Sequence, residues 1–210
     1  MQHPNKHVIT LQEIYEKNKH ILCTDPEETV EAGEVMKEAV SQLVYHATSK
    51  DNYELYGYNE IINELWDPYN VVFINKGSAK IVRVYNPNLV MIQHRYKNFF
   101  ESDHKYFYAL AANFEVLKKK TVLVMASTDI NGYNPSKEKY KNEIVNSENL
   151  FKTDIDSEDD IRKGKLKKTF VNIAGYLIEK KDSNSDIIYV ESVGFHVTSP
   201  LKRLIRKTLC

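Results

Sequence analysis

Apolar residues recur every three to four positions in the first third of the chain, and this spacing predicts helices. The first helix begins at Thr10, which forms a capping box with Glu13, and extends to about His20. A longer helix begins after Asp25, a suitable N-cap, and ends near Ser49. One apolar stripe of this second helix predicts that it packs against a flat surface. The stripe consists of Ala32, Val35, Met36, Ala39, Val40, Leu43, Val44 and Ala47.

A third, shorter helix is predicted over residues 59–66, because Asp67 and Pro68 stop it. Beyond it the apolar period falls from about 3.6 residues to about 2, which predicts β-strands. Hairpins are expected where two such strands flank a short polar turn. They pair residues 81–85 with 89–97, 106–117 with 121–128, and 169–179 with 186–192.

Helical segments interrupt and end the predicted sheet. A helix is expected over residues 136–149, and residues 157–160 are expected to cap a single helical turn that Gly164 ends. A terminal helix is expected to start at Ser199. Its apolar side consists of Leu201, Leu204, Ile205 and Leu209, and its basic side of Lys202, Arg203, Arg206 and Lys207. Consecutive hairpins imply an antiparallel meander, so the predicted fold class is α+β.

Composition narrows the range of partners. The 210 residues suffice for one domain with a core, and 29 basic residues balance 29 acidic ones. Because the net charge is zero, no global field favours nucleic acid. Cys23 and Cys210 lie far apart and predict neither a disulfide scaffold nor a zinc site. We expect a soluble chain, because no apolar run reaches the length of a membrane span and the first residues lack the apolar region of a signal peptide.

Motifs of catalytic and metal sites are missing from the sequence. It contains no GxSxG, HExxH, P-loop or GxGxxG pattern, and its seven histidines lack the spacing of metal ligands. The acidic run from Asp154 to Asp160 is similar to a calcium loop, but it lacks the sixth-position glycine and has Lys165 where the bidentate glutamate belongs. A solvated loop with a helix cap explains this run better. We therefore predict a protein without enzymatic activity, cofactor or metal.

One predicted strand offers a candidate ligand wall. Its alternate residues form an aromatic and apolar face with small residues at the middle, which plain core packing explains as well as a cavity does. Gln93 and Arg95 on the neighbouring strand favour the cavity. An arginine in apolar surroundings needs an anionic partner, and a lipid phosphate would supply one. The face consists of Tyr106, Tyr108, Leu110, Ala112 and Phe114.

Several segments resemble the START lipid-transfer domain, and more specifically the malaria-parasite fam-a branch of that superfamily. These segments are residues 58–68, 80–97, 105–112, 150–160 and 169–176. The resemblance covers residues 27–200 and implies a helix-grip fold. In that fold a U-shaped antiparallel sheet wraps a C-terminal helix and leaves an apolar tunnel for one lipid. The implied division is an N-terminal helical extension (1–24) and a START-like domain (25–210).

The resemblance also assigns roles to single residues. In phosphatidylcholine-binding relatives, aromatic rings cage the choline and an arginine binds the phosphate. Tyr106 matches one caging aromatic, whereas Gln93 stands at the position of a caging tryptophan and Asn63 at that of the arginine. Arg95 is the candidate replacement for the missing cation. Residues 50–58 fill a space where the family places several strands, and the terminal helix is shorter than the family's lid.

The resemblance predicts a monomeric carrier that binds one lipid, most simply a glycerophospholipid such as phosphatidylcholine, and transfers it between membranes through transient contact. It further suggests secretion or export into the host cell. The alternative is a binding or scaffold module at the parasite–host interface with a filled cavity, and a hydrolase of apolar esters comes third. The predicted ligand-binding residues are Trp66, Gln93, Arg95, Tyr106, Tyr108, Phe114, Leu201, Leu204 and Ile205.

Overall fold

The structure is a computed structural model that describes residues 9–47, 58–67, 77–97, 103–136, 141–149, 151–181, 185–194 and 201–205. The α-helices are α1 (Leu11–Lys17), α2 (Pro26–Ala47), α3 (Tyr58–Trp66) and α4 (Asp159–Arg162), and short 3₁₀ helices span Lys19–Ile21 and Asn146–Asn149. The strands are β1 (Gly77–Asn86), β2 (Leu89–Lys97), β3 (His104–Leu117), β4 (Lys120–Ala126), β5 (Asp129–Asn131), β6 (Lys152–Asp154), β7 (Lys167–Lys168), β8 (Phe170–Lys180), β9 (Ser185–Gly194) and β10 (Leu201–Ile205). The predicted α+β class is confirmed.

Eight of the strands form one mostly antiparallel sheet. Its order is β1-β2-β3-β4-β8-β9-β10, and β7 pairs in parallel with the start of β3. The predicted hairpins are confirmed as the antiparallel pairs β1–β2, β3–β4 and β8–β9. The sequence did not predict β5 and β6, which form a separate parallel pair.

The first two helices begin where their capping residues predict. Glu13 N donates to Thr10 Oγ1 at 3.2 Å, and Thr10 N donates to Glu13 Oε2 at 2.7 Å, which completes the capping box. Asp25 Oδ1 accepts the N–H groups of Glu27 at 2.9 Å and Glu28 at 3.2 Å. Each cap satisfies donors that a helix N-terminus leaves unpaired.

Helix α2 covers one side of the sheet, which we name the first face. Met36, Ala39 and Leu43 of α2 are completely buried against it. Gly175 of β8 makes this close approach possible, because a Cβ there would lie 2.6 Å from Leu43 Cδ1 and 2.1 Å from the Leu123 oxygen. The sheet residues of this core include Leu89, Met91, Tyr106, Tyr108, Leu110, Ala112, Val122, Val124, Ile173 and Leu177.

Helices α1 and α3 cover the opposite side of the sheet, the second face. Ile14 of α1 is buried there. After α1, the chain is joined to β1 by a backbone hydrogen bond, which Cys23 N donates to the Val84 oxygen at 2.6 Å. The remaining members of this core include Ile62, Leu65, Trp66, Ile92, Phe107, Ala109, Leu123 and Met125. Successive side chains of a strand point to opposite faces of the sheet. Because helices cover both faces, both sets of alternating residues are buried.

The predicted terminal helix is wrong for the residues that the structure describes. Residues 201–205 form β10, in which Leu201 opposes Val193 and Ile205 opposes Tyr189 of β9. The edge of β9 offers backbone hydrogen-bond partners to residues 201–205. The apolar and basic pattern of these five residues does not reveal that edge. Residues 199–200 and 206–210 of the predicted helix lie outside the described residues. Across the described part of the chain, no helix has the length and apolar character needed to cross a bilayer.

The predicted helix over residues 136–149 is also wrong in its described part, where only Asn146–Asn149 is helical and of the 3₁₀ type. Asn142 Oδ1 accepts the N–H groups of Ile144 and Val145, both at 2.9 Å, and its Nδ2 donates to the Asn172 oxygen at 2.8 Å. This side chain replaces helical hydrogen bonds with local and tertiary ones. Residues 137–140 of the predicted helix lie outside the described residues.

Candidate functional site

Four of the predicted site residues lie together on the first face, namely Gln93 and Arg95 of β2 and Tyr106 and Tyr108 of β3. Gln93 is paired with Tyr108 in the register, and Arg95 with Tyr106. The two tyrosine rings pack edge to face with their centroids 5.7 Å apart. Gln93 and both tyrosines are almost wholly buried, whereas the Arg95 side chain is 27% exposed. The predicted wall therefore has a polar end that reaches the surface at Arg95.

The other predicted site residues lie elsewhere. Trp66 is buried on the second face, so the sheet separates it from Arg95. Phe114 is half-buried farther along β3, against the core that α2 covers. The remaining three, Leu201, Leu204 and Ile205, belong to β10, and their side chains lie outside the described part of the structure.

Two carboxylates bind Arg95. Arg95 Nη1 donates to Asp160 Oδ2 at 2.6 Å, and Nη2 donates to Asp160 Oδ1 at 3.0 Å and to Glu158 Oε2 at 2.9 Å. Gln93 Nε2 donates to the same Glu158 oxygen at 2.9 Å, and Lys80 Nζ of β1 forms an ion pair with Glu158 Oε1. We name these five residues, Lys80, Gln93, Arg95, Glu158 and Asp160, the clasp. It ties the segment around α4 to β1 and β2.

The local sequence explains why the two carboxylates face β2. Glu158 is the N-cap of α4 in an extended conformation, and Asp160 Oδ1 also accepts the N–H of Ile161 at 2.9 Å. Arg162 Nε donates to the Ser157 oxygen at 2.6 Å and braces the turn. Gly164 has φ +68° and ends α4, as the sequence predicts. The predicted capping segment, residues 157–160, contains the observed N-cap.

The two neighbouring tyrosine hydroxyls differ in their partners. Tyr108 Oη accepts from Gln93 Nε2 at 2.8 Å and lies 2.7 Å from Ser157 Oγ. The Tyr106 hydroxyl is buried and has no hydrogen-bond partner among the described residues. Burial, and then the neighbouring Tyr108, raise the pKa of Tyr106, so its hydroxyl stays protonated. The charge of Arg95, and after it the Asn134 amide, oppose that rise in the pKa.

The clasp carries charges of both signs at one place. Hydrogen bonds from Arg95 lower the pKa of Asp160, and burial opposes this only in part, so Asp160 is ionised at neutral pH. Such a site can bind a ligand with both an anionic and a cationic group. Within the described residues, no three His, Cys, Asp or Glu side chains are placed to hold a metal ion.

Two surface clefts lie on either side of the clasp. One has a volume of about 560 Å³ and contains Arg95 and Asp160 together with the apolar side chains of Tyr96 and Leu166. The other has a volume of about 440 Å³ and contains Lys80 and Gln93, and its apolar residues include Ile21, Leu22 and Ile81. Both volumes fall in the range of small-molecule sites. The segment from Ile155 to Asp160 contributes to both, with Asp160 in the first cleft and Ile155 and Asp156 in the second.

Sequence reasoning found the cationic half of this site and missed the acidic half. This reasoning requires an anionic partner for Arg95 but assigns that role to a ligand. It assigns the acidic run from Asp154 to Asp160 to a solvated loop. One signal could have joined the two. An arginine in an apolar strand and a dense acidic run about 60 residues later in the same domain are natural partners.

Comparisons with known proteins give a likeness to solved structures. No family model matches the sequence. No curated protein matches it either. Among solved structures, the crystal structure of human STARD10 is similar over 80% of this chain and 48% of that chain, with 12% sequence identity and a TM-score of 0.36. This chain therefore spans about half the length of that one, and the fold assigned above rests on the strands and helices themselves.

Proposed function

We propose that this protein binds a single lipid without chemically altering it and transfers it between membranes, the lipid being a glycerophospholipid such as phosphatidylcholine. The observation that carries the proposal is the clasp, a mixed-charge group at the polar end of an aromatic sheet face with a cleft on each side. The resemblance of the sequence to START domains supports the same function.

The chemistry of the clasp matches a zwitterionic headgroup. The Arg95 guanidinium presents two donors in a plane, the geometry that suits phosphate oxygens. Glu158 and Asp160 offer negative charge to a quaternary ammonium group, which cannot accept or donate an ordinary hydrogen bond. A headgroup of this kind would therefore replace each internal ion pair by an equivalent external one.

Breaking the ion pairs of the clasp has a small energetic cost. The side chains of Arg95, Glu158 and Asp160 are 27%, 39% and 36% exposed, and ion pairs this exposed contribute about 0–1 kcal/mol each. Movement of the Ile155–Asp160 segment, which contributes residues to both clefts, would join them and would also expose Ile155, which is buried. The apolar side chains of both clefts would then be available to acyl chains, whose burial stabilises binding by about 0.8 kcal/mol per CH₂.

Binding and transfer are tested with fluorescently labelled phosphatidylcholine in donor and acceptor vesicles, together with native mass spectrometry of the purified protein. The wild type is expected to carry one lipid per chain and to accelerate exchange. Arg95→Gln is expected to weaken binding about 10- to 100-fold, because a hydrogen bond to a charged group contributes about 1.5–3 kcal/mol. Glu158→Gln with Asp160→Asn is expected to accelerate uptake of a lipid that bears phosphate but no ammonium.

Controls separate the site from general charge effects. Glu34→Gln with Asp129→Asn removes the same charge at exposed positions outside the clasp and is expected to leave uptake unchanged. If neither lipid binding nor exchange is detected for the wild type, the carrier function is wrong.

A second function, the scaffold module with a filled interior, has its own observation. The predicted ligand wall is buried in the core that includes α2, which is the arrangement expected if the cavity is filled. The buried residues of this wall are Tyr106, Tyr108, Leu110 and Ala112. In that case no variant of the clasp binds lipid, yet all of them fold. Hydrogen exchange of the Ile155–Asp160 segment with and without vesicles decides between the functions, since only the carrier requires this segment to open.

Secretion or export into a host cell belongs to the proposal through the resemblance alone. Immunofluorescence of the tagged full-length protein in the producing organism tests it, and retention inside the producing cell would contradict it.

A further inference from the structure

The β3–β4 turn and the end of β8 lie side by side at one end of the sheet, and we name residues 117–120 and 180–181 the tips. The β3–β4 turn is formed by Lys118 and Lys119, and Lys119 has φ +67°, which allows a tight turn. Lys180 N of β8 donates to the Lys119 oxygen at 2.8 Å, so the end of β8 is held against this turn. Tyr108, at the clasp, lies on β3 about 30 Å from Leu117 at the tip. The tips are therefore distant from the clasp.

Among the described residues, the lysines of the tips outnumber the carboxylates that pair with them. Glu179 is shared between Lys120 at 3.9 Å and Lys181 at 3.0 Å, and Lys181 also pairs with Asp186 at 3.8 Å. Lys118, Lys119 and Lys180 are exposed, and no ion pair engages them within the described residues. These three lysines therefore form a local positive surface at the tips of a protein whose net charge is zero.

An apolar side chain stands among these cations. Leu117 is 66% exposed, although β3 is almost wholly buried from Lys105 to Asn113. A protruding leucine beside lysines suits the boundary between lipid headgroups and acyl chains, where the leucine enters the apolar layer and the ammonium groups stay among phosphates. A single leucine offers little area for the core of a protein interface.

We propose that the tips dock the protein on an anionic lipid bilayer through Leu117, Lys118, Lys119 and Lys180. Each lysine near such a surface contributes about fivefold to partitioning, so three contribute about 100-fold. The docking does not depend on a lipid held at the clasp. It gives the protein a membrane contact even if the proposed carrier function is wrong.

Co-sedimentation with vesicles tests the charge of the surface. The wild-type protein is expected to bind phosphatidylcholine vesicles that contain phosphatidylserine and not pure phosphatidylcholine vesicles. Binding should fall with salt, because the screening length shortens from about 10 Å at 0.1 M to about 3 Å at 1 M. The triple variant Lys118→Gln, Lys119→Asn, Lys180→Gln is expected to bind about 100-fold more weakly. Asparagine suits the left-handed conformation of residue 119.

A matched control keeps the total charge change equal. Its substitutions are Lys37→Gln, Lys141→Gln and Lys163→Gln, all at exposed positions away from the tips. This control is expected to bind like the wild type. Equal loss in both triple variants would assign binding to total charge and overturn the proposal, as would a wild type that ignores anionic vesicles or a tip variant that binds them normally.

Insertion of Leu117 is tested with a fluorescent side chain. In a Leu117→Trp variant, anionic vesicles should shift tryptophan emission to the blue, and brominated lipids should quench it. Val30→Trp is the matched control, since Val30 of α2 is 64% exposed and lies outside the tips. No shift at residue 117, or an equal shift at both positions, would contradict insertion. Repeating both measurements in the Arg95→Gln background shows whether docking survives when the proposed lipid site is impaired.

Discussion

The first face of the sheet has two halves that differ in what covers them. Near the middle of β3, Leu110 and Ala112 are completely buried in the core that includes α2, whose Leu43 is equally buried. At the start of β3, the cover above Tyr106 and Tyr108 includes the α4 segment, which is held to the sheet by hydrogen bonds and ion pairs. Apolar burial is lost when the cover separates, whereas exposed ion pairs are exchanged for water or ligand. The second half is thus held partly by polar contacts that a ligand can replace, although Ile155 and Ile161 of its cover are buried in the same core.

The half under α2 is the one whose disruption costs most. Leu43→Ala removes a completely buried side chain and is expected to lower the free energy of unfolding by about 2–5 kcal/mol. Tyr45→Ala on the same helix is the control, because Tyr45 is 75% exposed and its replacement should change stability by at most about 0.5 kcal/mol. Urea denaturation followed by circular dichroism measures both. A small effect at Leu43 would mean that α2 does not seal this half.

The second face of the sheet, behind the clasp half, contains a buried histidine, His94. His94 is 3% exposed, packs on Phe107 with ring centroids 5.1 Å apart, and has no hydrogen-bond partner for either nitrogen among the described residues. Burial lowers the pKa of His94 from 6.5 to about 4. The unfolded chain therefore binds a proton between these two pH values that the folded chain excludes, and stability falls as the pH falls.

The expected loss from this histidine is about 3 kcal/mol between pH 6.5 and pH 4. Urea denaturation at several pH values measures it, and His94→Leu should remove most of the dependence above pH 5. The His94 ring protons should show no titration shift in nuclear magnetic resonance spectra down to pH 5. A histidine that titrates near pH 6.5 would show that water reaches this part of the second face.

The same contrast explains how much the sequence could predict. Helix α2 was predicted with its cap and stripe because both are local, within one or a few turns. Strand β10 was not predicted, because it forms by pairing with the edge of β9, which the local sequence does not reveal. The irregular chain before Asn146 depends on Asn142 bonding to Asn172, and on Glu38 of α2 accepting the Asn146 N–H at 3.0 Å. Such partners are 30 or more residues away and leave no periodic signal.

The candidate site shows the same limit at the level of side chains. Alternation along β2 and β3 correctly placed Gln93, Arg95, Tyr106 and Tyr108 on one face. It could not show that the partner of Arg95 is Asp160, because pairing across 65 residues is decided by the path of the chain. The requirement that a buried-strand arginine meets a carboxylate or phosphate was sound, and the protein itself supplies the carboxylate.

The smallest expected effects come from a matched pair of substitutions at the boundary between the two halves. Tyr108→Phe removes a hydroxyl that bonds Gln93 and Ser157, and it leaves the Ser157 hydroxyl without this partner. We expect it to lower the free energy of unfolding by about 1–2 kcal/mol. Tyr106→Phe removes a buried hydroxyl that no described residue engages, so stability should stay the same or rise slightly.

Urea denaturation of the two phenylalanine variants side by side gives the comparison, since both rings keep their place in the core and each variant controls for the other. Protection of the Ile155–Asp160 amides from hydrogen exchange should fall in Tyr108→Phe alone, because of the two tyrosine hydroxyls only that of Tyr108 bonds this segment, at Ser157. Equal losses of stability would mean that the Tyr106 hydroxyl has a partner such as a buried water. In that event the clasp half is hydrated beneath its cover, and a headgroup would displace water as well as carboxylates.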